Sequence, residues 1–432
     1  MTSLEYLFGL EFHGHKFGLE NIHAITTALG RPQDAFRTVS VAGTNGKGSV
    51  CAMVSRALAA AGHRTGVYTS PHLVSIRERF VVDGEMASAA ELDAALAEVR
   101  GAIDGLMAGG GLRAQPTFFE VATAMALVIF RRRRVDIAVL EVGLGGRLDA
   151  TTVATPFAGA ITSIDLDHQV YLGPTIADIA AEKAGIAKPG MVIVCGEQKP
   201  DAAAVIDREC GARGARVVHA WVGVRQSTRL ESGLTRLELL TPARKYPDCL
   251  LALRGLHQAA NAVVAVRLLE AIDAAGVPVG PTAIMAGLTE ARWPARLEVV
   301  RDARGREWLL DAAHNPAGAR SLAAYLRQVF PAGVPFLFGA MGDKDMRGML
   351  EALAPCATRF VVTRPPSPRA ADPAAICALI AAVAPGLPVV IETDLRTAID
   401  RAAGSDPLVC AAGSIYLLGA ILPLLDREES RA

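Results

Sequence analysis

The chain has no excess of charge of either sign: 44 lysines and arginines stand against 44 aspartates and glutamates over 432 residues. No overall field is available to draw in nucleic acid or an anionic membrane, so recognition by charge has to be local. Cys-x-x-Cys pairs are missing as well. The seven cysteines, at 51, 195, 210, 249, 356, 377 and 410, are odd in number and scattered, which argues against a disulfide framework or a zinc site and fits a reducing cytosol. Met1-Thr2-Ser3-Leu4-Glu5 lacks a basic segment followed by an apolar one, so no secretory signal is expected. Residues 407–425 carry no charge for 19 positions, yet Gly413-Ser414 interrupts them and the β-like Leu408, Val409 and Cys410 precede a helical pattern. A buried strand, a turn and a packed helix are expected there rather than a membrane span. Internal repeats and low-complexity tracts do not occur.

What is present is ample apolar material, 51% of the chain, at a length that predicts two or three domains. The organising stretch is 38–56. It reads as an apolar strand (Val39, Val41), the turn Gly43-Thr44-Asn45-Gly46-Lys47-Gly48-Ser49, and an amphipathic helix from near Val50. Glycines let successive N–H groups face one point, the following helix turns its positive end there, and Lys47 adds a cation. Ser49 can offer a hydroxyl to a phosphate-bound Mg²⁺. The loop departs from the generic phosphate-loop pattern, because Gly48 separates Lys47 from Ser49, and a plain glycine turn is the alternative. Cys51, just inside the helix, reads as a small buried side chain rather than a nucleophile.

Two short helices are expected within 4–30, around His13-Gly14-His15-Lys16-Phe17-Gly18-Leu19-Glu20. One residue between the histidines sets them apart on a strand or a helix, so a loop role is favoured over a shared metal. Further on come a strand at 66–69, a helix from Ser88 to Gly105, and a helix capped by Thr117 that ends in Arg131 to Arg134. Those four arginines are read as complementing the helix dipole. The apolar strand 135–142 delivers Glu141 at its carboxyl edge, and a strand over 158–164 delivers Asp165, Asp167 and His168. Glu141 suits either metal ligation or a turn, and His168 alone suits a satisfied loop or core position. Alternation of strands and helices implies a mostly parallel, doubly wound sheet with ligands beyond the carboxyl ends of its strands. Short alternating runs from 216 to 253 suggest a β-rich excursion, and helices resume over 258–275. After Trp293-Pro294 a second strand–helix alternation begins, which places domains at 1–292 and 293–432.

The loop Ala42 to Ser49 resembles the phosphate loop of the Mur-type ATP-dependent amide ligases, and within that superfamily it is most similar to folylpolyglutamate synthase and dihydrofolate synthase. Matching motifs follow in order: Thr69-Ser70-Pro71-His72-Leu73, Thr117-Phe118-Phe119-Glu120, the run 141–150, 163–168 with Leu172-Gly173, and Glu182-Lys183-Ala184-Gly185-Ile186. They continue through 258–261, Arg296, Asp311-Ala312-Ala313-His314-Asn315-Pro316, Gly342-Asp343-Lys344-Asp345 and Gly413-Ser414, nearly the whole chain.

The resemblance implies a P-loop α/β domain followed by a smaller Rossmann-like α/β domain. It implies that Asn45, Gly46, Lys47, Gly48, Ser49, Asn261, Arg296 and Asp311 bind ATP in a cleft that closes between domains. Ser70, Glu141 and His168 would ligate two Mg²⁺ ions, joined by Lys183 as a carbamate, which replaces a repelled ammonium by an anionic oxygen ligand. Lys16, Phe17, Gly18, Thr117, Phe118, Phe119, Glu120, Leu148, Asp149 and Ala150 would contact the pterin. For Asp149 a turn role before Ala150 stands beside that reading. Lys47, Lys183, His314, Lys344 and Asp345 would serve catalysis, the last three on the side that takes glutamate. The implied activity adds L-glutamate to dihydropteroate and to reduced folates through an acyl phosphate, in a cytoplasmic protein with no nucleic-acid or membrane partner and monomeric by default. Another Mur-type amino-acid ligase, or a nucleotide-dependent switch that makes no bond, is the rival. Three positions depart from the family: Thr152 where asparagine is usual, Ala295 where glycine is usual, and Asp165 as an added acid.

Overall fold

A computed structural model of the chain describes residues 3–10, 18–112 and 114–425. Lys16 and Phe17, together with His13 and His15, lie outside the described residues. The chain divides into two compact units, and the division is not a single cut. The first holds Met1–Ser227, Leu237–Leu250 and Ala260–Arg292; the second holds Thr228–Arg236, Leu251–Ala259 and Trp293–Ala432.

The first unit opens with helices α1 (Ser3–Gly9) and α2 (Glu20–Ala28), then β1 (Arg37–Ala42), α3 (Lys47–Ala60) and β2 (Thr65–Tyr68). A hairpin of β3 (Phe80–Val82) and β4 (Glu85–Met86) leads to α4 (Ala89–Ala108), α5 (Phe118–Arg132), β5 (Ile137–Glu141) and β6 (Ala158–Ile161). Then come α6 (Gln169–Leu172), α7 (Ile176–Ala184), β7 (Val192–Cys195), α8 (Pro200–Ala212) and β8 (Arg216–His219). The eight strands lie in the order β4-β3-β2-β5-β1-β6-β7-β8. Across the sheet from β2 to β8 every pairing is parallel, and the antiparallel pairings are β2 with β3 and β3 with β4 at one edge. The parallel, doubly wound sheet expected from strand–helix alternation is therefore present, and β8, expected within the β-rich excursion, is its other edge.

Both faces of the sheet are covered, as an all-apolar strand requires. One layer packs Ile22, Leu92, Val99, Val121, Met125 and Phe130 against Ala138 and Leu140; the other packs Ile179, Ile206 and Cys210 against Ile161, Ile193 and Cys195. Thr117 does cap α5, in a reciprocal box with Glu120, and Ser88 caps α4 in the same way with Glu91. Arg131 and Arg132 stand in the last turn of α5, as their reading expects, and the run makes ion pairs besides. Arg131 and Arg132 pair with Glu98, and Arg133 pairs with Glu91 at 2.5 Å, so α4 supplies acids for these cations beyond any helix-end field.

The remaining strands of the excursion, β9 (Arg225–Glu231), β10 (Leu234–Leu240) and β11 (Lys245–Leu250), form a separate sheet in the order β11-β10-β9. Helices α9 (His257–Ala274) and α10 (Pro281–Glu290) follow. The second unit's sheet is built from β12 (Glu298–Arg301), β13 (Glu307–Asp311), β14 (Val334–Phe338), β15 (Ala357–Val362), β16 (Val389–Ile391) and β17 (Leu408–Ala412). Its order is β12-β13-β17-β14-β15-β16, parallel apart from the β12–β13 hairpin. Helices α11 (Pro316–Val329), α12 (Met346–Leu353), α13 (Pro373–Val383), α14 (Leu395–Ala403) and α15 (Ile415–Ile421) alternate with these strands. The uncharged run 407–425 holds β17, a turn at Gly413-Ser414 and α15. Among the described residues no helix is long and apolar enough to cross a membrane.

Candidate active site

The site begins where β1 ends. Gly43 has φ 147° and Gly46 φ 89°, and neither position has room for a side chain. A Cβ on Gly43 would lie 1.8 Å from Thr162 Oγ1, and one on Gly46 would lie 2.3 Å from Asn261 Oδ1. Gly46 is itself the N-cap of α3, in left-handed conformation and without a side-chain cap bond. The helix therefore starts at Lys47, three residues ahead of the sequence expectation, and its positive end and first N–H groups are presented by the loop. Thr162 and Thr44 hold that loop in place. The Thr162 hydroxyl donates to the Asn45 carbonyl at 2.7 Å, while the Thr44 hydroxyl donates to the Asp165 carbonyl at 3.1 Å and accepts the Asp165 N–H at 3.2 Å.

Two ammonium groups converge on one oxygen here. Lys47 Nζ donates to the Gly43 carbonyl at 3.1 Å and to the Thr44 carbonyl at 3.3 Å; Lys183 Nζ, from the last turn of α7, donates to the same Gly43 carbonyl at 2.9 Å. Lys183 is 5% exposed. Burial, reinforced by the charge of Lys47, pushes its amine down to about 7, with Asp167 and Asp149 opposing. A surface helix lysine would show neither feature.

Glu141 is the last residue of β5 and stands level with Val41 of β1. It is buried, and its Oε2 accepts the Ser70 N–H at 3.0 Å. Ser70 and Glu141 are thus neighbours. His168 adopts φ 52° at the start of α6, with its side chain 37% exposed and Nε2 3.8 Å from Asp167 Oδ1. Among the described residues no group of three His, Cys, Asp or Glu side chains could hold a metal ion by itself. A cation here would need the Ser70 hydroxyl, a modified lysine or ligand oxygens in addition.

The residues assigned to the pterin surround a second set of contacts. Phe118 stacks on Phe8 with centroids 6.0 Å apart, and the Arg79 guanidinium lies 5.0 Å from the Phe118 centroid. Phe119 packs against Tyr68, and Glu120 is buried with Oε1 unpartnered. Asp149 is fully engaged in a turn: Oδ2 accepts the N–H groups of Gly143 and Leu144 at 3.0 Å each, and Oδ1 accepts the N–H and hydroxyl of Thr151 at 3.0 and 2.5 Å. Leu148 is half-buried and Ala150 buried in the same loop, and Gly18 precedes α2. Thr152 turns its hydroxyl inward to the Asp149 carbonyl at 2.7 Å. Asp165 is paired with Lys199 at 3.2 Å.

In the second unit Asp311 ends β13, buried, and accepts the N–H groups of Leu297 and Ala313 at 3.0 and 2.9 Å. Burial raises its carboxyl, with the Arg296 charge opposing. Ala295 and Leu297 have φ of 57° and 50° around Arg296, which explains why a glycine would suit position 295 and shows alanine carrying the strain instead. His314 Nδ1 lies 2.9 Å from the Ala312 carbonyl. Asp345 caps α12 by accepting the Gly348 N–H at 2.9 Å, and Lys344 is half-buried beside it. Sequence reasoning missed Gln198, whose amide accepts the Ile164 N–H at 3.0 Å and donates to the Thr162 carbonyl, bracing the loop that leads to His168. It also missed the pairing of Arg147 with Glu182 at 2.8 Å.

The chain is a Mur ligase, shown by two family models that between them match most of it. Residues 41–269 match the Mur ligase middle domain, and residues 295–415 match the Mur ligase glutamate ligase domain. Within that class the chain belongs to the dihydrofolate synthase/folylpolyglutamate synthase family. It is 38% identical to the Mycobacterium tuberculosis dihydrofolate synthase/folylpolyglutamate synthase, over 95% of this chain and 90% of that protein. The Bacillus subtilis protein of the same name is 35% identical, over 79% of each. Among solved structures, Mycobacterium tuberculosis folylpolyglutamate synthase complexed with ADP superposes with a TM-score of 0.90 at 36% identity, covering 99% of both chains. Escherichia coli FolC in complex with DHPP and ADP gives 0.86 at 28% identity, covering 98% of both.

The packing of Gly46 on Asn261 yields a test. Gly62 has a nearly identical φ of 90° with nothing within 4 Å of an added methyl, whereas a methyl on Gly46 meets Asn261. Gly62→Ala should cost only backbone strain, about 1–2 kcal/mol, and Gly46→Ala a further ~1–3 kcal/mol from displaced packing. Equal losses in chemical denaturation would contradict the contact.

Proposed function

We propose that the chain is an ATP-dependent amide ligase that adds L-glutamate to dihydropteroate and to reduced folates. The observation that carries this reading is the meeting of Lys47 and Lys183 at Gly43, at the head of a helix whose cap provides no side-chain acceptor. The Lys47 ammonium beside the positive end of a helix calls for an anionic ligand, and a nucleoside triphosphate supplies one. Family membership supplies the acceptor and the amino acid.

In this reading the N–H groups of Gly46 to Ser49 cradle the phosphates and Lys47 offsets charge as the γ-phosphoryl group moves. The acceptor carboxylate attacks the γ-phosphorus, ADP leaves, and an acyl phosphate results. The glutamate amine then attacks the acyl carbon; inorganic phosphate departs and the nitrogen loses a proton. Asn261, Arg296 and Asp311 hold the nucleotide. His314, Lys344 and Asp345 orient glutamate, and Thr117 to Glu120 with Leu148 to Ala150 and Gly18 bind the acceptor. Residues 1–292 would then be the ATP- and folate-binding domain and 293–432 the glutamate-binding domain.

Ser70, Glu141, His168 and a carbamate on Lys183 fit two Mg²⁺ ions. The donor set is rich in hard oxygen, and a buried amine lowered to about 7 is neutral often enough to add CO₂ as R–NH–COO⁻ with release of a proton. Bound Mg²⁺ would supply charge neutralisation at the terminal phosphates. A cytoplasmic setting suits the seven free cysteines, which stay reduced there.

Purified protein given ATP should release phosphate only when acceptor and glutamate are both present. Release that ignores glutamate would favour a nucleotide switch, and release with a different amino acid would favour another Mur-type ligase. For Lys183, only the neutral amine adds CO₂, so modification is favoured above about pH 7 and lost as pH falls through it. Carbon-13 NMR with labelled bicarbonate should show a carbamate resonance that fades below pH 7 and is missing from Lys183→Met; a resonance that persists in that variant would rule the assignment out.

A further inference from the structure

The geometry points to Arg147 and Glu182 as a positioning pair that fixes Lys183 against the phosphate loop by clamping the 143–149 loop to the end of α7. The inference rests on the ligase reading above but concerns residues that reading leaves without a role. The contact is made at three levels. Arg147 N–H donates to the Glu182 carbonyl at 2.8 Å, a shorter bond than the 3.3 Å one that the same carbonyl takes from the Gly185 N–H at the end of α7. The Arg147 guanidinium donates through Nε and an Nη to Glu182 Oε1 at 3.0 and 2.8 Å, placing a cation at the negative end of α7. Between the side chains the two backbones approach so closely that only glycine fits. A Cβ on Gly146 would lie 2.7 Å from the Glu182 carbonyl and 2.9 Å from that of Lys183, and a Cβ on Gly185 would lie 2.5 Å from Arg147 Cα.

Lys183 is the next residue along α7, and its Nζ reaches the Gly43 carbonyl. On the other side the clamp holds the loop whose shape Asp149 sets by gathering the N–H groups of Gly143 and Leu144. One rigid path therefore runs from the acceptor loop, through Arg147 and Glu182, to the amine beside the phosphate loop. The pair is half-exposed on the arginine side, 49% against 24% for Glu182. An ion pair that open to water contributes little to global stability. Its effect should appear in the placement of Lys183 and not in the melting temperature.

Arg147→Met keeps the stem that packs on Gly185 and removes the charge. It should lower kcat roughly 10- to 100-fold with the KM values for ATP and glutamate changed less than about two-fold, because the groups proposed to bind them lie outside the clamped loop while the reacting geometry loosens. Glu182→Gln should do the same, and the double variant should be no worse than either alone. The melting temperature should fall by less than about 4 °C. In the ligand-free proteins, hydrogen exchange over 182–186 should quicken about ten-fold in both variants relative to the unsubstituted chain. Unchanged kcat in Arg147→Met, additive losses in the double variant, or unaltered exchange would each overturn the pairing. Exchange needs no substrate, so it judges the clamp separately. Failure of the unsubstituted chain to turn over any acceptor with glutamate would count against the ligase reading instead.

Discussion

A buried lysine brought onto a carbonyl that already takes another lysine is hard to charge, and that conflict at Gly43 is the constraint around which the site is arranged. Lys47 and Lys183 both donate to Gly43, and the charge of Lys47 adds to burial in making Lys183 hard to charge. Burial resolves part of the conflict by lowering the Lys183 amine, so that near neutral pH one of the two charges is readily given up. In the proposed reaction, the crowding that would destabilise an ordinary core suits this spot to a phosphoryl group and Lys183 to modification.

The surrounding architecture holds that crowding still. Parallel strands bring Glu141 level with the start of the phosphate loop, because β1 and β5 pair in register from Arg37 with Ile137 to Val41 with Glu141. Thr162, Thr44 and Gln198 stitch the end of β6 to the loop through hydroxyls and an amide, groups that tolerate no slip without leaving buried partners unsatisfied. Gly43 and Gly46 admit Thr162 and Asn261 where any side chain would exclude them. In the second unit the same economy appears around Arg296, where Asp311 binds the Leu297 N–H and so holds two residues in left-handed conformation.

Much of this is legible in the sequence because it is encoded locally. The strand, glycine turn and helix at 38–56, the Thr117 cap with its Glu120 partner, and the delivery of Glu141 at a strand end each depend on neighbours a few residues apart. The sequence pattern puts the start of α3 three residues late because a left-handed glycine, Gly46, serves as its cap and leaves no polar side chain as a marker. The arginine run 131–134 looks in sequence like an answer to a helix end, whereas Glu98 and Glu91 meet it from a helix 33 to 42 residues earlier. Asp149 has two readings, a turn and a ligand; the turn is visible in the four hydrogen bonds that it accepts, and the ligand role stays with the proposal. Gln198 carries no sequence signal, and the motifs that contain Arg147 and Glu182 do not reveal their pairing, since the meaning of each lies in groups brought near by the fold.

In the proposed reaction the terminal phosphoryl group of ATP passes to a carboxylate oxygen of the acceptor before the amide forms. Turnover of ATP and glutamate with an acceptor labelled by oxygen-18 in its reacting carboxylate tests this directly. Each inorganic phosphate released should carry one labelled oxygen from the acceptor, as cleavage of an acyl phosphate at carbon requires. Unlabelled phosphate accompanying amide formation would contradict it.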